Sequence, residues 1–239
     1  MNYELNKKII KIIMEVLSVI IIVFFAYSIT PKILQNDTFY TVKIGEHIQN
    51  TTQNIADLLP WNKGLDMKDP FSIHKDLPYT YPHWLYDWLT YKIYCISGFK
   101  SVYVATCILA VVLGLSIYFV NRKLNQNIVV STVITIGALY CLKGFIAARA
   151  QLLTFILFIL TIYGIERFLQ TKKLRYALML VIIPIIIANV HTAVWPFYFV
   201  LYLPYIAEYV IYSILTKDYY LLYRKISLKF RKKKLGQIQ

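Results

Sequence analysis

Long apolar runs recur along the chain and predict a bundle of membrane-spanning helices. A hydrocarbon core about 30 Å thick needs roughly 20 mostly apolar residues per crossing helix. Six segments reach this length, at approximately residues 10–30, 99–121, 127–147, 150–169, 174–191 and 193–216. Two of them contain proline, which membrane helices tolerate because neighbouring groups satisfy the freed carbonyls. The pattern therefore predicts an all-α, polytopic transmembrane bundle of about six spans.

The segment 31–98, between the first two spans, is too polar to cross a bilayer. Its alternation of apolar and polar positions predicts two amphipathic helices, at residues 38–48 and 83–96, lying in the membrane interface. Four turn-forming residues separate them: Pro60, Gly64, Pro70 and Pro78. A loop of this length is usually functional or disordered, and its aromatics and low share of Ser and Gly argue against disorder. We therefore expect the chemistry of the protein to reside here.

The distribution of charge orients the bundle. The net charge is +14, and only 16% of residues are charged, too few to cover a water-soluble globule. Basic clusters precede the first span, follow the second, separate the fourth from the fifth, and fill the tail 217–239. With six spans all of them fall on one side, which predicts cytoplasmic termini in the cell membrane. We expect a membrane module, 1–216, with outer loop 31–98, followed by a basic cytoplasmic tail, 217–239, on membrane lipids, and no nucleic-acid partner.

The three cysteines have no CxxC spacing and lie in or beside apolar segments. We interpret Cys95, Cys107 and Cys141 as buried small hydrophobic residues without a role in metal binding or disulfides. Phosphate-binding glycine loops, zinc-protease motifs and nucleophile elbows do not occur. Candidate chemistry must therefore come from isolated polar residues.

Two carboxylates of the outer loop are candidates. Asp37 directly follows the first span, where it could act as a general base toward an acceptor hydroxyl. The alternative is a helix N-cap, since aspartate is favoured there and an amphipathic run follows. Asp69 opens Asp-Pro-Phe-Ser, which favours an Asx-turn.

The second amphipathic helix carries His83 and Asp87, four residues apart on one face. Such a pair could orient the histidine for acid–base work or bind a substrate hydroxyl. A capping or surface pair is the alternative.

Two further candidates lie on the same predicted side of the membrane. Arg149 opens the fourth span, where positive charge opposes the topological bias, and its guanidinium suits an anionic ligand such as phosphate. The alternative is an arginine that snorkels to lipid phosphates. His191 ends the fifth span, and polar groups at this depth tend to face a cavity. The topology predicts that Asp37, Arg149 and His191 meet.

Taken in order, several short motifs resemble a known family. They are Asp37 with Phe39 and Tyr40, Gly45-Glu46-His47-Ile48, Asp69-Pro70-Phe71-Ser72, His83-Trp84-Leu85, Ala148-Arg149-Ala150-Gln151 and Asn189-Val190-His191. This set resembles the N-terminal half of the GT-C membrane glycosyltransferases, a superfamily that includes protein O-mannosyltransferases and aminoarabinose transferases. The chain differs from the better-known relatives in having Thr38 after Asp37 instead of a second acidic residue, and in ending after six predicted spans.

The resemblance implies sugar transfer from a polyprenyl-phosphate donor at the outer face of the membrane. Asp37 would be the catalytic base and Arg149 would hold the lipid phosphate. His191 would assist or bind the acceptor, while Asp69, His83 and Asp87 would shape the site. We favour a metal-free mechanism, with a divalent ion shared by Asp37 and Asp69 as the alternative.

Two other function classes stay open on sequence. The short chain is compatible with a non-catalytic membrane subunit or lipid-binding scaffold, which would need a partner membrane subunit. A small transporter is the third reading, although the second and third spans carry no ionisable residue at their centres.

Overall fold

The computed structural model describes residues 2–51, 68–74, 77–125 and 127–216. Within these residues the chain is helical and forms no strand. The helices are α1 (Asn2–Ile29), α2 (Asn36–Thr51), α3 (Trp84–Ser97), α4 (Phe99–Asn125), α5 (Ile128–Leu142), α6 (Ala150–Thr171), α7 (Leu174–Val190) and α8 (Phe197–Val200). Short 3-10 turns follow α5 and α7. The predicted all-α class is confirmed.

Five helical segments of the described chain are long and apolar enough to cross a membrane: Glu4–Ile29, Phe99–Leu124, Ile128–Phe145, Ala150–Thr171 and Thr192–Thr216. The predicted fifth span is α7, which has 17 residues and is the shorter apolar helix of the set. At 1.5 Å per residue it is about 25 Å long, at the lower limit for a crossing. The protein is therefore a multi-pass membrane protein, and the sixth crossing stays a prediction.

Four helices build the central core of the unit that comprises residues 1–195. Ile22 of α1, Leu113 of α4, Leu139 of α5 and Leu152 of α6 are fully buried in one cluster. Gly114 allows this approach, because a Cβ there would lie 3.0 Å from the Ile22 and Leu139 side chains. Many other apolar side chains of α1 and α5 face outward, as expected where lipid is the solvent.

The outer-loop helices α2 and α3 pack against each other, and α3 also packs on α4 and α7. The contact depends on Gly45: a Cβ at this position would lie 2.1 Å from the Asp87 carbonyl oxygen and 2.6 Å from the Tyr91 Cβ. Trp88 Nε1 donates to Gln49 Oε1 at 2.9 Å across the pair. The two predicted amphipathic helices thus exist, with α2 beginning two residues earlier and ending three later than expected.

The predicted span 193–216 corresponds to the apolar segment Thr192–Thr216, whose helix is interrupted. The chain forms the short α8, turns at Leu201 and Tyr202, and is helical again over 203–216. Pro196 precedes α8, and Pro204 lies in the first turn of the next helix, where its missing N–H costs nothing. The prolines therefore divide this segment. The predicted basic tail, 217–239, lies outside the described residues. The same holds for Pro60 and Gly64 of the outer loop.

The prediction of buried cysteines is wrong for two of the three. Cys95 and Cys141 are exposed on the protein surface, and Cys107 is half-buried; all three are free thiols. An apolar context indicates burial in protein only when water is the solvent. In a membrane protein, the same context also fits a surface that faces lipid.

Candidate functional site

A cavity of about 250 Å³, here called the polar cavity, gathers most of the candidate residues. Its walls come from α2, the segment before α3, α3 itself, the start of α6 and the residue after α7. The lining residues are Asp37, Tyr40, Thr41, Tyr79, Pro82, His83, Tyr86, Asp87, Arg149, Ala150, Gln151 and His191. The convergence of Asp37, Arg149 and His191 that the topology predicted is therefore present in the structure.

Hydrogen bonds between distant segments explain why these residues meet. The buried Thr38 hydroxyl donates to the Ala148 carbonyl at 3.4 Å, which ties α2 to the turn that carries Arg149. Trp84 Nε1 donates to Asn189 Oδ1 at 3.0 Å, which ties α3 to α7. The Thr192 backbone N–H donates to the Pro82 carbonyl at 3.0 Å. The first of these bonds holds the Asp37–Arg149 side of the cavity, and the other two hold the histidine side.

Asp37 and Arg149 form an ion pair at the rim of the polar cavity, with Arg149 Nη2 2.6 Å from Asp37 Oδ2. The Asp37 side chain is 63% exposed and the Arg149 side chain 37% exposed. Arg149 Nε is buried and has no hydrogen-bond partner among the described residues. The Nε–H of the guanidinium is therefore a hydrogen-bond donor that the ion pair does not use.

The interpretation of Asp37 as a helix N-cap is wrong, because α2 begins at Asn36 and Asp37 lies inside its first turn. The position still suits a carboxylate, since the first turn of a helix carries partial positive charge. Arg149 precedes α6 in extended conformation and places its side chain toward α2 rather than capping its own helix.

Two histidines contact each other on the wall of the polar cavity. The ring centroids of His83 and His191 lie 4.8 Å apart, and Thr154 Oγ1 lies 3.2 Å from His191 Nδ1. Burial lowers the pKa of His83. Burial, and secondarily the neighbouring His83, lower the pKa of His191 to about 4. Both imidazoles are therefore neutral at pH 7.

Asp87 is buried on the wall of the polar cavity, with only 3% of the residue exposed. Burial raises its pKa to about 8, and a hydrogen bond with Thr41 opposes the shift. At neutral pH this carboxyl is mostly protonated, so it can donate a hydrogen bond. The predicted pairing with His83 is not what the structure has: His83 contacts His191, and Asp87 contacts Thr41. The charges left on the cavity wall are those of Asp37 and Arg149.

Asp69 forms the Asx-turn that its sequence predicted, with the Phe71 backbone N–H donating to Asp69 Oδ1 at 2.9 Å. It is not among the residues that line the polar cavity. Asp69 interacts with Tyr40, which lines the cavity. Burial raises the pKa of Tyr40, and Asp69 raises it further. A divalent ion shared by Asp37 and Asp69 stays a prediction.

Several cavity residues escaped the sequence analysis. Thr41 lines the cavity and lies four positions after Asp37 on the same face of α2. Thr154, which contacts His191, lies four positions after Ala150, the residue that follows Arg149. Tyr79, buried enough that its pKa is raised, comes from an irregular segment for which the sequence offers no periodic signal. Spacing from the known candidates would have found the threonines but not the tyrosine.

An apolar cleft of about 270 Å³ lies beside the polar cavity and shares Tyr86 with it. Residues of α3, α4 and α6 line this cleft, among them Leu89, Ile93, Val102, Leu109 and Leu153. A polar site and an apolar groove thus meet at one side chain, an arrangement suited to a ligand with a charged head and a hydrocarbon tail.

Comparison with protein-family models, curated proteins and solved structures found no match to this chain. The interpretation of the site therefore depends on its own geometry.

Proposed function

We propose that this protein is a GT-C-like glycosyltransferase that moves a sugar from a polyprenyl-phosphate donor to an acceptor hydroxyl at the outer face of the cell membrane. The observation that carries the proposal is the Asp37–Arg149 ion pair at the mouth of the polar cavity. It joins a candidate base to a candidate phosphate ligand. The cytoplasmic location of both termini is part of the proposal.

The ion pair supports a role in which donor binding frees the base. A donor phosphate competes with the Asp37 carboxylate for the Arg149 guanidinium, which binds phosphate through parallel N–H donors. Arg149 Nε, buried without a partner among the described residues, supplies a second donor beside Nη2. Once Arg149 binds phosphate, the exposed Asp37 carboxylate becomes available to an acceptor.

The apolar cleft beside Tyr86 supports a lipid-linked donor over a soluble sugar nucleotide. The sugar and phosphate would occupy the polar cavity, and the first isoprene units would lie along α3 and α4. Because the tail is already in lipid, the cleft would contribute through van der Waals packing and not through removal of apolar surface from water.

The chemical step is a direct displacement at the anomeric carbon. Asp37 accepts the proton of the acceptor hydroxyl as its oxygen attacks, the bond between the anomeric carbon and the phosphate oxygen breaks, and polyprenyl phosphate leaves. Arg149 stabilises the charge that develops on the leaving phosphate. Neutral His83 and His191 and the protonated Asp87 supply donors and acceptors for sugar hydroxyls without adding charge.

The test separates binding from transfer in the purified full-length chain. Polyprenyl phosphate binding is measured by native mass spectrometry, and release of polyprenyl phosphate from a polyprenyl-phosphate hexose is measured with water or a hydroxyl peptide as acceptor. We expect Arg149→Ala to weaken binding at least about tenfold, since it loses charge-assisted hydrogen bonds. We expect Asp37→Asn to bind at least as tightly as the wild type, because the competing carboxylate is gone, and to lose transfer.

Matched controls come from the same elements. Glu46→Gln removes a carboxylate from α2 that pairs with Lys43 and does not line the cavity. Lys143→Ala removes an exposed cation from the turn before α6. Full activity in both Asp37→Asn and Arg149→Ala would overturn the proposal. Tight binding without transfer in the wild-type chain would favour a lipid-binding scaffold that needs a partner subunit.

A further inference from the structure

Two apolar clefts flank the last turns of α4, at the end away from the polar cavity. One, of about 490 Å³, lies between α4 and α1 and is lined by Val16, Val19 and Ile20. The other, of about 380 Å³, lies between α4 and α6 and includes Leu160 and Tyr163. Phe119 and Lys123 belong to both clefts. Phe119 therefore forms a ridge between two grooves that start at the same lysine.

Lys123 is the exposed cation that lines both clefts. Arg122 donates to Glu15 through Nε at 2.9 Å and through Nη2, and the Tyr118 hydroxyl donates to the other Glu15 oxygen. Glu15 and Arg122 thus neutralise each other. Lys123 is exposed and has no ion pair with any residue of the described ranges.

The dimensions fit one leaflet of a bilayer. The cleft between α4 and α6 extends along α4 from Lys123 to Val112, about 16 Å at 1.5 Å per residue. Half of a hydrocarbon core about 30 Å thick is about 15 Å. An acyl chain that begins at Lys123 would therefore follow this groove to the middle of the membrane.

We propose that Lys123 binds the phosphate of one two-chain anionic phospholipid, whose acyl chains lie in the two clefts on either side of Phe119. The headgroup carries no ammonium, because the Glu15 carboxylate that would pair with it is engaged by Arg122 and Tyr118. Lys11, one helical turn before Glu15 on α1, adds positive charge at this end of the helices and also favours an anionic headgroup. This site is independent of the proposed transfer reaction and lies at the other end of α4.

The test compares lipids on the purified full-length chain by native mass spectrometry and by lipid-dependent thermal unfolding. We expect phosphatidylglycerol to bind about tenfold tighter than phosphatidylcholine, and Lys123→Gln to abolish this preference, since each tenfold step corresponds to about 1.4 kcal/mol and one charge-assisted contact supplies that much. Lys123→Arg retains the charge and should retain the preference. Lys100→Gln, at the opposite end of α4 and equally exposed, is the matched control.

A second arm tests the two-groove geometry. Lysophosphatidylglycerol has the same headgroup with one chain and should bind more weakly, and glycerol phosphate should not displace phosphatidylglycerol. Phe119→Ala merges the grooves and should narrow the difference between one-chain and two-chain lipids. Equal binding of phosphatidylglycerol and phosphatidylcholine, or an unchanged preference in Lys123→Gln, would overturn the assignment to Lys123. Equal binding of one-chain and two-chain lipid by the wild type would overturn the role of the two clefts.

Discussion

Two carboxylate–arginine pairs among the described residues, Glu15–Arg122 and Asp37–Arg149, differ in their surroundings. Glu15–Arg122 joins α1 to α4, and its Glu15 and Arg122 side chains are 31% and 12% exposed. Tyr118 occupies the second Glu15 oxygen. Asp37–Arg149 joins α2 to the start of α6 with one short contact, and its two side chains are 63% and 37% exposed. The first pair, here called the enclosed pair, is partly buried and has three hydrogen bonds to Glu15. The second, here called the open pair, is more exposed and has one contact.

This difference separates a structural pair from an exchangeable one. Removing either partner of an enclosed pair leaves an uncompensated charge in a low-dielectric region, which is costly. An open pair gains little from its own attraction, so a ligand phosphate can replace the carboxylate at small cost. The same two chemical groups thus support different functions because of burial and the number of bonds.

The first prediction exchanges the charges within each pair. In Asp37→Arg combined with Arg149→Asp the ion pair persists, but the base and the phosphate ligand change places. We expect transfer to fall at least about 100-fold, with an unfolding temperature close to wild type. In Glu15→Arg combined with Arg122→Glu we expect transfer to persist. Transfer assays and thermal unfolding on both double variants check this, and normal transfer by the Asp37/Arg149 exchange would make that pair structural too.

The second prediction breaks the enclosed pair alone. Glu15→Gln leaves Arg122 without its counter-charge between α1 and α4, and we expect a loss of about 2 kcal/mol in unfolding free energy, since a partly buried pair loses hydrogen bonds to a charged group. The matched variant Asp37→Asn should lose less than about 1 kcal/mol, because its pair is exposed. Thermal or denaturant unfolding in one detergent measures both. Equal losses would remove the distinction between the pairs.

The sequence predicted the spans and the meeting of distant polar residues well. Hydropathy reports long apolar helices directly, and the side to which each basic loop belongs places Asp37, Arg149 and His191 together without any contact information. The geometry of the Asp37–Arg149 ion pair could not be predicted from the sequence, because the start of α2 depends on how the chain turns between Thr30 and Gln35. That two-residue difference moved Asp37 from a cap into the first turn.

Burial was the least predictable property. The sequence pattern predicts that Asp87 is a polar position on an amphipathic helix. In the structure α2 buries Asp87, because Gly45 lets α2 and α3 approach each other closely. Cys95 and Cys141 read as buried, yet they lie on the protein surface. In both cases the outcome depends on which neighbour, protein or lipid, covers a residue, and local periodicity carries no information on that neighbour.

The third prediction acts on α2, which carries the open pair. Gly45→Ala places a Cβ within 2.1 Å of the Asp87 carbonyl oxygen, so the helices must separate. We expect a loss of about 2 kcal/mol, typical of overpacking, together with reduced transfer as Asp37 moves relative to Arg149. Gly137→Ala, where a Cβ would meet nothing within 4 Å, should leave both unchanged. Unfolding and transfer are measured on the two variants, and wild-type values for Gly45→Ala would contradict the close packing.

The fourth prediction locates a pH dependence at the polar cavity. The pKa of Asp87 is raised to about 8 in the folded protein by burial, against about 3.9 for an unfolded aspartate. Between these values the folded state holds more protons than the unfolded state, so its stability falls as the pH rises toward 8. Asp87→Asn removes this term, so its unfolding temperature should vary less than that of wild type between pH 5.5 and 8.5.

The expected difference in pH response is about 1 kcal/mol or more, which corresponds to roughly 2–4 °C for a chain of this size. Glu15→Gln is the contrasting variant: it lowers the unfolding temperature at every pH in this range and leaves the wild-type slope intact. If Asp87→Asn and wild type have the same slope, Asp87 is ionised in the folded protein at neutral pH. The cavity wall would then carry a second negative charge that repels a donor phosphate, and Arg149 alone would have to offset it.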